Sequence, residues 1–235
     1  GNVVDPWSVL DKQGADAVRW YFYTSSAPWL PSRFYPEAVS EAQRKYMGTL
    51  WNTYAFYVLY ANIDGFDPTK YTMNRDTLTV MDKWILSKLN SAVKSVDECL
   101  ASYKITEATR ILEGFVDELS NWYVRRSRER FWGKGMAGDK EAAFATLYHV
   151  LVTLAKVCAP FIPFMAEDIY QNLVVANVPG AIDSVHLCDF PTADESLISE
   201  DLNPQMNALL EVISLGRAVR ASANLKVRQP LQTLY

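Results

Sequence analysis

Histidine and cysteine are scarce in this chain of 235 residues, with two of the first and three of the second. Cys99, Cys158 and Cys188 lie far apart and form no CxxC pair, and His149 and His186 stand in no metal-ligand spacing, so the chain carries no zinc signature. Cys99 and Cys158 fall on apolar helix faces and read as core thiols. His149 sits among Tyr148, Val150 and Leu151 and reads as a bundle histidine; no nucleophile with its base is recognisable. Asp64, Asp67 and Asp76 lack calcium-loop spacing. No apolar run approaches the roughly 20 residues that span a bilayer, and no signal peptide is visible. Internal repeats and low-complexity stretches are absent as well. The chain also lacks a basic excess: 23 Lys and Arg against 27 Asp and Glu give a net charge of −4. That excludes a protein that coats nucleic acid indiscriminately.

What is there is apolar and helical. Apolar residues make up 49% of the chain and aromatics 13%, enough for one large core or two modest units. They recur at helical spacing over four long stretches. Residues 36–63 carry Met47, Leu50, Trp51, Tyr54, Val58 and Leu59, and residues 78–102 carry Trp84, Ile85, Leu89, Val93, Val96 and Leu100. Residues 105–132 repeat the stripe from Ile105 through Ile111, Leu112, Phe115, Val116 and Leu119 to Tyr123. Residues 140–175 carry Phe144, Leu147, Leu151, Leu154 and Cys158. Pro160 and Pro163 then impose a break or kink, beyond which Met165, Ile169 and Leu173 resume the stripe. The loop 64–77, with Gly65, Pro68 and Asn74, and the turn Gly133-Lys134-Gly135 separate these stretches.

Four amphipathic helices on short connections predict an all-α, up-and-down antiparallel helix bundle. The expected organisation is a junction segment at 1–36 with one helix near 14–24, a bundle at 37–176, a linker at 177–200, and a C-terminal region at 201–235. The linker is expected to hold an extended piece at 184–188. The last region is expected to hold a helix at 201–223, with Met206, Leu209, Leu210, Ile213 and Val219, and a strand beginning at 229. Because the chain stops inside that strand, it is expected to be cut from a longer protein.

Positive charge is concentrated. Residues 125–140 hold six basic and two acidic side chains, and residues 216–235 hold four basic and no acidic ones, leaving the remainder clearly acidic. The stretch NWYVRRSRERFW at 121–132 sets Arg125, Arg126, Arg128 and Arg130 among Trp122, Tyr123, Phe131 and Trp132. Guanidinium forks hold phosphates and base edges, and aromatic faces stack on unpaired bases, so the mixture suits single-stranded RNA. The plainer reading is a helix end whose arginines pair with acidic neighbours. Bundle parity sends the end of the third helix to the tip farthest from the N-terminal segment, beside the loop 64–77 with its Phe66, Lys70, Tyr71 and Arg75. Counting about 100° per residue, Arg126 and Arg130 continue the apolar stripe and need partners, while Arg125, Arg128 and Trp132 share an outward face.

Several long motifs carry a resemblance. GNVVDPWSVLDKQGADAVRWYFYTSSAPW at the start is similar to the segment after the catalytic lysine loop of the class I aminoacyl-tRNA synthetases for isoleucine, valine and leucine. CAPFIPFMAEDIYQNL resembles a stretch shared across that group. LWNTYAFYVLYANID, LSNWYVRRSRERFW and the terminal VRQPL resemble the isoleucyl members most. The resemblance covers essentially the whole chain. It implies an anticodon-binding bundle preceded by a segment that buttresses the acceptor-stem side of the tRNA. It carries over Arg125, Arg128, Arg130, Trp132 and Lys134 as RNA-facing, and the tip loop adds Lys70 and Arg75. Asn121, Trp122, Trp51 and Asn52 are expected to pack or hydrogen-bond within the bundle, and Asp5, Asp16 and Arg19 to cap helices and pair between segments.

The HxGH-type signature and the lysine-rich loop of the adenylate-forming site are absent from this stretch, with Gly1 and Asn2 read as the tail of that loop or Gly1 as an added residue. No catalytic residue, metal site or cofactor is therefore expected here. The resemblance implies a parent ligase that joins isoleucine to its tRNA with ATP and magnesium in the cytoplasm. Its partners would be isoleucine-accepting tRNA and the catalytic and C-terminal domains of the same chain, with neither membrane nor DNA. The alternatives are the equivalent bundle of a valyl-type synthetase and a non-catalytic helical protein-interaction scaffold.

Overall fold

A computed structural model of the chain describes residues 4–31, 33–71, 73–136 and 138–233. Gly1 and Asn2, and the last two residues of the expected strand, lie outside them. The chain divides into two compact units between Ile198 and Ser199. Among the described residues every regular element is helical.

The first unit opens with α1 (Pro6–Gln13). The Asp5 carboxylate accepts from the Trp7 amide at 3.2 Å, and Pro6, which has no N–H to leave orphaned, starts the turn. Gly14, at φ +86°, lets the chain swing into α2 (Ala15–Ser25). Two long rods follow, each interrupted by a π-helical turn. The first runs through α3 (Pro36–Ala42), the π turn Gln43–Met47 and α4 (Gly48–Asp64). After α5 (Val80–Ala101), the second runs through α6 (Ile105–Glu118), the π turn Leu119–Val124 and α7 (Arg125–Trp132). Then come α8 (Gly138–Cys158) and α9 (Pro163–Tyr170). Trp84, Ile85, Leu112, Leu119, Tyr123, Phe131 and Phe144 are all but fully buried where the rods meet. Each such side chain stabilises the fold by about 1.5–3 kcal/mol.

Pro160 and Pro163 do more than kink a helix: they reverse the chain. Tyr148 Oη donates to the Leu173 carbonyl at 3.3 Å, so α9 and its π turn Gln171–Val175 return alongside α8. Two prolines three residues apart stop α8 and pre-set the first turn of α9. Asp16 of α2 reaches across to accept from the Phe164 and Met165 amides at 3.4 and 2.8 Å, which have no partner within α9. Arg19 donates to the Pro160 and Phe161 carbonyls at 2.7 and 3.2 Å. Thr106 and Thr109 of α6 donate to the Ser26 and Tyr23 carbonyls at 3.3 Å each. The N-terminal segment is thus fastened to one end of the bundle by Asp16 and Arg19 together with Thr106 and Thr109, while Asp5 caps α1.

Residues 177–198 lie along the bundle. Glu167 accepts from the Val185 amide at 2.8 Å, Asn90 accepts from the Asp194 amide at 2.8 Å, and Lys94 pairs with Glu195 at 2.7 Å. The extended piece expected at 184–188 is instead a 3-10 turn, Val185–Leu187, capped by Ser184. In the second unit, α10 (Leu202–Ser222) is followed by turns and bends where a strand was expected. Arg220 holds them there, donating to the Lys226 and Gln229 carbonyls at 3.0 and 2.7 Å. Of the described helices α8 alone is long and apolar enough to cross a membrane, and about two thirds of that stretch is packed inside the protein.

Candidate nucleic-acid interface

The ends of α4 and α7 and the starts of α5 and α8 converge at the end of the bundle opposite the N-terminal segment. Buried charge ties them together. Asp82, wholly buried at the start of α5, accepts from Arg130 Nη1 and Nη2 at 2.8 Å each and from the Tyr123 hydroxyl at 2.6 Å. The same carboxylate accepts from the Thr79 amide and hydroxyl at 2.9 and 2.7 Å, and the Asp82 amide donates to the Thr79 hydroxyl at 3.3 Å, closing a capping box. Burial alone would raise the Asp82 pKa, but the Arg130 and Tyr123 hydrogen bonds outweigh it and hold the carboxyl below its ordinary value. Burial and the neighbouring Asp82 push Tyr123 well up, so the phenol stays a donor. Arg130 also donates through Nε to Asp139 at 2.9 Å, and its side chain is only 14% exposed.

Lys140 makes the second tie. Its buried ammonium pairs with Asp64 at 2.7 Å and donates to the Gly133 carbonyl at 2.6 Å, joining α8 to the end of α4 and to the turn after α7. Phe66 of the loop stacks on Phe144, ring centroids 5.1 Å apart, and covers the same end.

Against this fixed base the expected RNA-facing residues separate. Arg125, Arg128 and Lys134 are exposed and make no hydrogen bond or ion pair with any described residue. Trp132 is 56% exposed, its indole N–H donating to the Tyr60 hydroxyl at 2.8 Å. Arg130 faces the other way, into Asp82 and Asp139. Lys70 pairs with Asp67 at 2.9 Å, and Arg75 pairs with Asp194 at 2.8 Å and donates to Ser196 at 3.1 Å. Hydrogen bonds from Thr69 and then Lys70 lower Asp67 to a pKa of about 2. The tip therefore presents Arg125, Arg128 and Lys134 without partners beside the exposed Trp132 ring, which Tyr60 holds by its N–H, while Lys70 and Arg75 already hold local partners.

One expectation fails. Arg126 was placed on the core-facing stripe with Arg130, but it is exposed, its guanidinium over the Trp122 ring at 5.9 Å. The π turn Leu119–Val124 is the reason. It takes up one more residue than an α turn, so the buried stripe passes from Leu119 to Tyr123 and Val124, then to Ser127 and Phe131. Arg130 reaches inward from the flank of that stripe. Sequence reading also missed Asp82, Lys140 and Tyr60. Thr79 followed by Asp82 is a legible capping-box pattern, whereas nothing local marks Tyr60 or Lys140.

Comparison with known proteins bears on this tip. Residues 82–235 match the family model described as the anticodon-binding domain of tRNA ligase. The isoleucine--tRNA ligase of Clostridium novyi (strain NT) is 57% identical over 236 residues, covering all of this chain and 22% of that protein. That of Clostridium acetobutylicum is 58% identical over 233 residues, covering 98% and 22%. The chain thus spans about a fifth of the length of the curated relatives it matches. The LeuRS of Agrobacterium radiobacter K84, solved as a ternary complex with tRNA and LeuAMS, superposes with a TM-score of 0.64 over 85% of this chain and 22% of that one. At 20% identity that likeness speaks for the fold alone. Matched over more than half its length, the chain belongs to the family of anticodon-binding domains of tRNA ligases.

Proposed function

We propose that this chain is the anticodon-reading part of an isoleucine–tRNA ligase, with the bundle tip as its RNA-facing surface. The observation that carries the reading is the tip itself: Arg125, Arg128 and Lys134 stand exposed and unpaired beside the exposed Trp132. Cations without partners suit phosphates, and an exposed indole suits an unpaired base. Arg130 serves in this reading as the strut that aims them, since Asp82 and Asp139 occupy its donors. Lys70 and Arg75 reach RNA only by exchanging Asp67 and Asp194 for phosphate.

Identity of 57–58% to isoleucine--tRNA ligases across essentially the whole chain supports isoleucine as the amino acid. The whole ligase would join isoleucine to its tRNA in the cytoplasm with ATP and magnesium. Among the described residues no group of three or more His, Cys, Asp or Glu is arranged to hold a metal. That chemistry is assigned to parts of the ligase beyond this chain.

Titration against isoleucine and valine tRNA transcripts at two salt concentrations tests the reading. The expected result is preference for the isoleucine tRNA, weakened by salt and by exchanging its anticodon. Equal affinity for both, or indifference to the anticodon, overturns it.

A further inference from the structure

Trp132 is exposed yet held still. Its only polar atom is satisfied by Tyr60 at 2.8 Å. One residue on, the Gly133 carbonyl is gripped by the buried Lys140 at 2.6 Å. Two residues back, Arg130 is clamped by both oxygens of Asp82. Tyr60 leans in turn on Phe56, ring centroids 4.9 Å apart, and Phe56 meets the fully buried Phe131 edge-on at 5.2 Å. The indole is thus anchored to the core through two intermediate rings, and to the backbone on both sides. An indole whose N–H is already taken offers its π face, and every base has a π face to match. Fixing the ring in advance removes ordering cost from binding.

The surroundings are those of a nucleotide. On α7, Arg125 and Trp132 differ by about 20° in azimuth and Arg128 flanks them, all within roughly 10 Å of helix rise. None of the acidic side chains that pair with Lys70, Arg75 or Arg130 pairs with this strip.

We propose that Trp132 is a stacking platform for one unpaired base of the RNA, and that Tyr60 is the positioning residue that fixes its ring. The assignment rests on the tip being RNA-facing and adds to it a mode of recognition and a residue of α4. Arg128 and Lys134 then hold the phosphates on either side of the stacked base.

The test uses an anticodon stem-loop RNA carrying 2-aminopurine at one loop position at a time, titrated with this chain. Stacking quenches the probe, so quenching is expected at a single position. Trp132→Ala should abolish it and weaken binding roughly 5- to 150-fold, the range for losing one base–aromatic stack. Trp132→Phe should retain part of the quench. Tyr60→Phe, which deletes only the hydroxyl, should weaken binding in the native background and change nothing in the Trp132→Phe background, where no N–H remains to be held. Circular dichroism establishes that each variant is folded.

Unchanged affinity and quenching for Trp132→Ala would overturn the platform. If Arg128→Ala still weakened binding, the RNA-facing tip would survive that result; if neither variant mattered, both would fall. Losses from Tyr60→Phe that are absent in the native background, or that simply add to those of Trp132→Phe, would overturn the positioning role.

Discussion

At the scale of single residues, Asp82 decides the shape of the tip. Its carboxylate is wholly buried and answers donors from Arg130, Tyr123 and Thr79, and the guanidinium it holds is 14% exposed. Leaving one charge of a buried pair uncompensated costs about 3–5 kcal/mol; Arg130 keeps its bond to Asp139, so the cost here lies at the lower end, about 3 kcal/mol. Asp82→Asn, which keeps the shape and loses the charge, should therefore lower stability by about that amount in a urea melt at neutral pH. The sign of the pH dependence follows from the same bonds. The folded pKa of Asp82 lies below its ordinary value of 3.8, so its contribution is complete above 3.8 and is lost as pH falls through the folded value. His149, its pKa lowered by desolvation although its side chain reaches the surface, also destabilises the fold in acid, whereas Asp16, raised by burial, works in the opposite sense. Comparing native and Asp82→Asn proteins cancels both. The stability gap between them should be constant from pH 7 to about 5 and narrow below 3.8. A gap independent of pH down to pH 3 would show that the charge of Asp82 does not hold the tip.

At the scale of elements, the π turn between α6 and α7 absorbs one residue and leaves the faces on either side aligned. Leu119 and Phe131 both end up fully buried, although a uniform helix carrying Leu119 inward would carry Arg130 there instead. A deletion inside the turn should therefore be mild. Removing the exposed Asn121 converts the turn to plain α-helix and returns Arg130 to Asp82, costing no more than about 1 kcal/mol, or 2–4 °C in melting temperature. Removing Glu129, equally exposed but beyond the turn, rotates Arg130 by about 100° away from Asp82. That should lower the melting temperature by roughly 6–20 °C. Equal effects of the two deletions would show that the turn does not set the register.

The long helices were legible because their apolar residues recur with one period. The π turn was not, because counting by a fixed angle assumes that period never changes. That assumption put Arg126 inside. The proline pair announced a break but not its direction, which is set by Asp16 from a helix some 150 residues away. Of the tip, the exposed Arg125, Arg128 and Trp132 were readable from their spacing on α7. Tyr60 and Lys140 were not, since their partners, Trp132 for one and Asp64 and Gly133 for the other, are brought to them only by the fold.

At the scale of the whole molecule, the proposed partner is a polyanion while the chain carries a net charge of −4, so the sum of charges opposes their meeting. Binding must come from where the positive charges stand and from how few of them are neutralised internally. Among the described residues Arg125, Arg126, Arg128 and Lys134 hold no acidic partner at the tip, while Lys70, Arg75, Arg130 and Lys140 do. Only the unpaired ones displace counterions from RNA without first breaking a bond within the protein. For a single-stranded loop each phosphate neutralised contributes about 0.7 to the slope of log affinity against log salt concentration. Four cations without acidic partners predict a slope near −3 for this chain with an anticodon stem-loop, against roughly −10 for a protein that grips a duplex along its backbone. Arg128→Ala should reduce the slope by about 0.7, whereas Trp132→Ala should weaken binding and leave the slope alone, because stacking releases no counterions. Replacing Lys70 by Ala frees Asp67 while removing a cation that was already paired, so it should shift the slope by less than Arg128→Ala does. A slope much steeper than −3 would mean that the internal ion pairs open on binding, and that the acidic body yields to the RNA where this reading keeps it closed.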